Sequence, residues 1–204
     1  MSDEYINYLK SFNELKMVSD NKEDKRIFTR KYLGVVLENN GFNYFIPLST
    51  PKENDFIKLS DGKFIIRKSS LQIIRMIAKN TVSNQFELKG TLKICNMIPV
   101  PADELSPYDI SKEKDRLYQS IVQKEYSFIR SNRDLILRNA SIIYNLKNNE
   151  HKIFPNKNKR PKYLDNTIPF SFAEQKCREY IDLKNKLNKA REALLEKNSP
   201  DILS

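Results

Sequence analysis

Apolar residues follow two regimes along the chain. Up to about residue 100 they come in short β-branched and aromatic runs. From Ser111 onward they recur at three- and four-residue steps. Tyr32–Leu37 and Phe42–Leu48 flank Glu38-Asn39-Asn40-Gly41, and Asn-Gly supplies the positive φ values of a tight hairpin. Asp61-Gly62 marks a turn, and Phe64-Ile65-Ile66 reads as a short strand. Leu71–Ala78 fits either strand or helix. Gln85–Leu88 and Thr91–Val100 read as two strands broken at Lys89-Gly90, the second ended by Pro99 and Pro101. Before the hairpin, Tyr5, Tyr8, Leu9, Phe12 and Leu15 predict a short helix over 4–17, then a charged connector over 18–26.

In the second regime Leu117, Ile121, Phe128, Leu135 or Ile136, Ala140 and Ile143 fall on one helical face, with a break near Ser131-Asn132. Ser111 is the expected cap of the first of these helices. Residues 148–166 read as a Lys/Asn/Pro loop. Ser171 with Glu174 predicts a capping box opening a last helix, whose buried stripe runs Ala173, Cys177, Tyr180, Leu183, Leu187, Ala190 and Leu194. Strands first and helices after predict an α+β fold rather than alternating βαβ units. The expected division is a single domain over 1–183 and a helical extension over 184–204.

Composition narrows the function classes. The 204 residues carry a net charge of +10, which points to a polyanionic partner such as nucleic acid. A Lys-, Asn- and Ile-rich codon bias is the competing explanation. Two distant cysteines suit neither a disulfide framework nor a metal knuckle and fit a reduced, cytoplasmic protein. No signal-peptide pattern and no 18-residue apolar run appears, so no membrane association is expected. The single histidine, His151, lies in the basic loop, reads as a solvated surface residue, and rules out a two-histidine acid–base site. Carboxylates show no metal-ligand spacing, and four glycines form no phosphate loop, so no metal or cofactor is expected.

Two stretches remain as candidate chemistry. The loop from Lys152 to Tyr163 interleaves Lys152, Lys157, Lys159, Arg160 and Lys162 with Phe154 and Tyr163. Cations can neutralise phosphates while rings stack on bases; the same loop also reads as a solvated linker. The second stretch is Ser49-Thr50-Pro51-Lys52 at the strand end. RNA brings its own nucleophile, the 2′-OH, so hydroxyls and a lysine can support phosphodiester cleavage by alignment and charge stabilisation alone. Locally, these four residues are also a common turn.

Four segments resemble the ToxN/AbiQ family of type III toxin–antitoxin endoribonucleases. They are Tyr32–Leu37 with Tyr44–Lys52, Met97–Pro101, Tyr126–Asn132 and Phe170–Lys176, in the family's order. The resemblance implies a compact, strongly twisted antiparallel sheet similar to the Kid/MazF toxins, with flanking helices and a long C-terminal helix. It implies metal-independent RNA cleavage to a 2′,3′-cyclic phosphate and a 5′-hydroxyl, and a role in phage abortive infection. It also implies a repeat RNA antitoxin, folded as a pseudoknot and processed by the toxin, closing into a cyclic assembly, with mRNA as substrate. The catalytic residues implied are Thr50, where the family usually has serine before Pro-Lys, with Lys52 and Ser49. Arg30 or Lys31, Tyr118, Tyr126 and Lys176 are implied RNA contacts. A non-catalytic RNA-binding protein on the same fold is the rival expectation, and a DNA-binding regulator the third.

Overall fold

The structure, a computed structural model, describes residues 1–21, 30–80 and 83–197; of Val35, Lys157, Glu196 and Lys197 only the backbone is described. Much of the connector expected over 18–26, and the chain end from 198, lie outside the described residues.

The sheet is built around a hairpin. β1 (Tyr32–Asn39) and β2 (Phe42–Ser49) pair antiparallel. Asn40 and Gly41 both take positive φ, 52° and 78°, as a two-residue turn matched to strand twist requires. β2 is the central strand, and its other edge is shared by two pieces of chain. Leu48 and Ser49 pair with Leu92 and Thr91 of β6 (Phe86–Lys93), whereas Tyr44 and Phe45 pair with Pro99 and Ile98 of β7 (Ile98–Pro99). A 3-10 turn, Ile94–Asn96, takes the chain between them. Pro47, which has no N–H to give, falls in the gap between these pairings. β5 (Ile73–Lys79) completes the sheet beyond β6, and β3 (Phe56–Lys58) with β4 (Phe64–Ile66) forms a separate ribbon.

Lys89-Gly90 does not break the strand as expected. β6 is continuous, and the register with β5 shifts between Met76 and Ile77, so the extra residue is accommodated as a bulge. Leu71–Ala78 resolves as strand.

Helices cover the sheet. α1 (Asp3–Lys10) is capped by Ser2, whose Oγ accepts from the Tyr5 N–H. α2 (Arg116–Ser131) and α3 (Arg133–Asn148) meet at Asn132, as the expected break predicts. The cap of α2 is Asp115 and not Ser111; its carboxylate accepts from the N–H groups of Leu117 and Tyr118. The buried side chains of α2 are Val122 and Glu125, whereas Leu117 of the predicted apolar face is 81% exposed. The 148–166 stretch is not wholly loop: α4 (Glu150–Ile153) and two 3-10 turns lie within it.

α5 (Phe170–Lys197) runs unbroken through residue 184. Its first half is buried through Phe170, Ala173, Cys177 and Tyr180, and the Lys184 ammonium reaches the buried Glu104 at 2.9 Å. The predicted stripe does not continue: Leu183, Leu187 and Leu194 are exposed, because nothing among the described residues packs over that half of the helix. The capping box is also absent. Ser171 Oγ pairs with Asn148, and Glu174 points into the core. There Glu174 Oε1 accepts from the hydroxyls of Tyr44 (β2) and Tyr144 (α3), both at 2.8 Å, and Oε2 accepts from Asn40 at the hairpin turn at 3.3 Å. Tyr44, Tyr144 and Phe170 pack ring to ring around it. Burying a carboxylate is costly unless its oxygens are satisfied, and here three donors do so.

Candidate active site

Side chains alternate along a strand. Tyr44 faces α3 and α5, so Phe45 and Ser49 face the opposite side of the sheet, the side crossed by α2. Ser49 is 4% exposed, while Thr50, the next residue, is exposed just past the strand end. Arg30 fixes this corner. Its Nη1 donates to Ser49 Oγ and to the Leu48 carbonyl, each at 2.8 Å, and its Nε donates to the Asp20 carbonyl at 2.8 Å. Ser49, expected to act with Thr50, is therefore buried, and its hydroxyl is engaged by a guanidinium.

Lys52 is exposed, but its backbone is held on both sides. Its N–H donates to Asp55 Oδ2 at 3.0 Å, and its carbonyl accepts from the Asp55 N–H at 2.9 Å. Asp55 is in turn locked by a buried ion pair with Arg75 of β5, at 3.0 Å. The mobile part of Lys52 is thus its side chain alone.

A residue not singled out from the sequence completes the group. Thr91 pairs with Ser49 across the sheet, and Lys93, two residues on, lies on the same face. Burial holds the Lys93 pKa below the usual lysine range, and the Lys52 and Arg30 charges lower it further. Arg30, Lys52 and Lys93 therefore place their positive charge around one strand end. No local pattern marks Lys93; only the β2–β6 register brings it there.

The remaining candidates are distributed more widely. Lys31 packs its ammonium over the Tyr108 ring at 3.9 Å, with its pKa lowered by burial. Tyr126 is 52% exposed and lines the same cavity as Arg30 and Lys31. Tyr118 is half-buried near the start of α2. The basic loop is anchored elsewhere, to the α3 end on the Tyr44 side. Arg160 donates to Glu150 and pairs with Asp165, while the Lys147 ammonium donates to the Leu164 carbonyl. Lys152, Lys159, Lys162 and His151 are exposed there; the Lys157 side chain lies outside the described residues. Lys176 is held by Glu179 at 2.7 Å, with its ammonium over the rings of Phe12 and Phe172. Among the described residues no three His, Cys, Asp or Glu side chains group as a metal site, and no helix is long and apolar enough to cross a membrane.

Matched against known proteins, the chain falls in the class of toxins from type III toxin–antitoxin systems. It belongs to the ToxN family: the model of that family, toxin ToxN of type III toxin–antitoxin systems, matches residues 1–178. The chain is 31% identical over 144 residues to endoribonuclease AbiQ of Lactococcus lactis subsp. lactis, covering 71% of each. It is 27% identical over 180 residues to endoribonuclease ToxN of Pectobacterium atrosepticum, covering 88% of this chain and 91% of that one. The solved structure of AbiQ, a lactococcal anti-phage endoribonuclease of a type III system, is similar with a TM-score of 0.63 at 29% identity, over 89% of this chain and 94% of that one. A structure from a bacterial antiviral system regulated by a processed non-coding RNA gives 0.66 at 26% identity, over 88% and 95%. Another, of a type III toxin selectively inhibited by a non-coding RNA pseudoknot, gives 0.63 at 26% identity, over 88% and 94%.

Proposed function

We propose that the protein is a metal-independent endoribonuclease toxin of a type III toxin–antitoxin system, acting in the cytoplasm on mRNA and phage transcripts in abortive infection. The observation that carries this reading is the exposed Thr50 at the end of a central strand, with Arg30, Lys52 and Lys93 gathered around that strand end. The substrate 2′-oxygen attacks the adjacent phosphorus and forms the new P–O bond. The P–O5′ bond breaks, leaving a 2′,3′-cyclic phosphate and a 5′-oxygen. The 2′-hydroxyl proton leaves to water, and the 5′-oxygen takes one up. Thr50 donates a hydrogen bond to a non-bridging phosphate oxygen, and Lys52 and Lys93 stabilise the added charge of the phosphorane. Ser49, held by Arg30, sets the backbone from which Thr50 projects. The restraining partner is a repeat RNA antitoxin, folded as a pseudoknot and cut from its precursor by the toxin, in a cyclic toxin–RNA assembly. Lys31, Tyr126 and Tyr118 contact RNA on the α2 side, and the basic loop and Lys176 on the other. The single catalytic domain spans 1–183, with residues 184–204 as its extension.

The test is incubation with RNA in excess EDTA, followed by mapping of the new ends. Cyclic phosphate and 5′-hydroxyl ends support the mechanism. Loss of cleavage in EDTA, or 3′-hydroxyl ends, overturns it. RNA bound tightly and left intact by the wild-type protein would mark a binding protein on the same fold.

A further inference from the structure

A cavity of about 670 Å³ lies between α2 and the outer face of the hairpin, a volume within the range of ligand sites, roughly 300–1,000 Å³. Its walls are largely apolar, with the rings of Tyr32, Tyr108 and Tyr126 and the cations Arg30 and Lys31 set among them. Two acids line it as well, Asp3 and Glu125, and Asp3 already accepts a hydrogen bond from Asn21. Glu125 is 8% exposed and lines the cavity, yet no hydrogen bond or ion pair reaches its carboxylate from the described residues. Its pKa is pushed up to about 7, with burial as the cause. The backbone makes room for it: a Cβ on Gly90 would lie 2.2 Å from Glu125 Oε1. Gly34, on the cavity wall, likewise leaves its space to the Phe45 ring, 2.6 Å from where its Cβ would be. The Glu125 oxygens are not sealed in the interior, so a donor arriving in the cavity can meet a carboxylate that burial leaves poorly solvated.

The cavity reaches towards the strand end as far as Leu48, two residues before Thr50. Arg30 lines it and holds Ser49, and Gly90, under Glu125, directly precedes Thr91, the partner of Ser49. A nucleotide next to a phosphate at Thr50 has this cavity within reach.

We propose that the cavity is the pocket for one base flanking the scissile phosphate, and that the Glu125 carboxylate selects there a base with an exocyclic amino group. The proposal rests on the RNA-cleaving reading above for the placement of the phosphate. An ionised carboxylate only accepts hydrogen bonds. Adenine, cytosine and guanine offer it amino hydrogens; uracil offers only its N3–H, flanked by the O2 and O4 carbonyls, which repel it. The tyrosine rings supply the flat faces on which any base stacks.

The test uses the isosteric Glu125→Gln, whose amide also donates and so accepts the uracil carbonyl. Random-sequence RNA is cleaved at pH 8 and the ends are sequenced. Wild type is expected to disfavour uracil at one flanking position roughly tenfold or more, the scale of one good base contact. Glu125→Gln is expected to bring uracil within about threefold of the preferred base, and Glu125→Leu, which offers neither donor nor acceptor, to flatten the preference. Identical base preferences in wild type and both variants overturn the pocket. Binding of uncleavable 2′-O-methyl oligomers of A, C or U separates the two claims. If the wild type cuts nothing, the ribonuclease reading fails. The pocket then stands only if uracil is bound more weakly by wild type and equally by Glu125→Gln; equal binding of all three by wild type overturns it.

Discussion

Glu125 should make the folded protein weaker as the solution becomes alkaline. The carboxyl sits at 8% exposure against Gly90 and Met76, and burial raises its pKa from 4.5 to about 7. Between those two values the folded chain keeps a proton that the unfolded chain has released. Unfolding free energy therefore falls as pH rises through this window, and is flat with respect to this group below 4.5 and above 7. At ~1.36 kcal/mol per pKa unit, the full span is worth about 3 kcal/mol. Glu125→Gln removes the titration while keeping shape and volume. Urea denaturation of both proteins at pH 5 and pH 8 isolates the effect, since all other groups are shared. The variant's advantage over wild type should grow by about 2.5 kcal/mol from pH 5 to pH 8, the part of that span lying above pH 5, a midpoint gain of roughly 1–3 M at ordinary m-values. An advantage that is the same at both pH values would show that the carboxylate is solvated or paired, and would refute the argument.

Three further outcomes are expected. Thr50→Ala should lower RNA cleavage roughly 10²–10³-fold, the effect of losing one transition-state donor, while Thr50→Ser stays within about tenfold of wild type; equal rates for wild type and Thr50→Ala in a single-turnover assay would move the site elsewhere. Lys93→Met should cut the single-turnover rate by a similar factor and Lys93→Arg restore much of it, whereas a change confined to RNA affinity would make Lys93 a binding residue only. Glu174→Ala leaves the Tyr44 and Tyr144 hydroxyls without their acceptor and should cost about 2–4 kcal/mol by urea denaturation; a loss under 1 kcal/mol would show the network to be dispensable.

How far the sequence could be read depended on whether a feature is local. The hairpin was legible because Asn40-Gly41 states its own backbone requirement. The separation of strands from helices and the break at Asn132 were legible from periodicity. The face of α2 was not, because one of its buried positions is an acid, Glu125, and Leu117 imitates a core residue while standing in solvent. Glu174 imitated a capping residue because it lies three positions after a serine; its real partners come from β2 and α3. At Gly90 a glycine that looked like a strand break supports a bulge, and only the α2 packing shows why a side chain is excluded there. The strand leading to Thr50 was legible from its own run of aromatic and β-branched residues, while the approach of Lys93 to its end was hidden in a pairing across 42 positions of chain.

The Glu174 network also orders events during synthesis. β2 leaves the ribosome early, but the carboxylate that receives its Tyr44 hydroxyl lies 130 positions later. At 5–20 residues per second, that interval is on the order of ten seconds. Until then β2 lacks the helices that cover its Tyr44 face, so the corner holding Thr50 has no settled scaffold. A chain whose last helix is not yet made therefore leaves the Tyr44 hydroxyl without its acceptor and the core open on that face. Ribosome-arrested chains ending before residue 170 should accordingly remain sensitive to protease, and protection at that length would show that the core closes without α5.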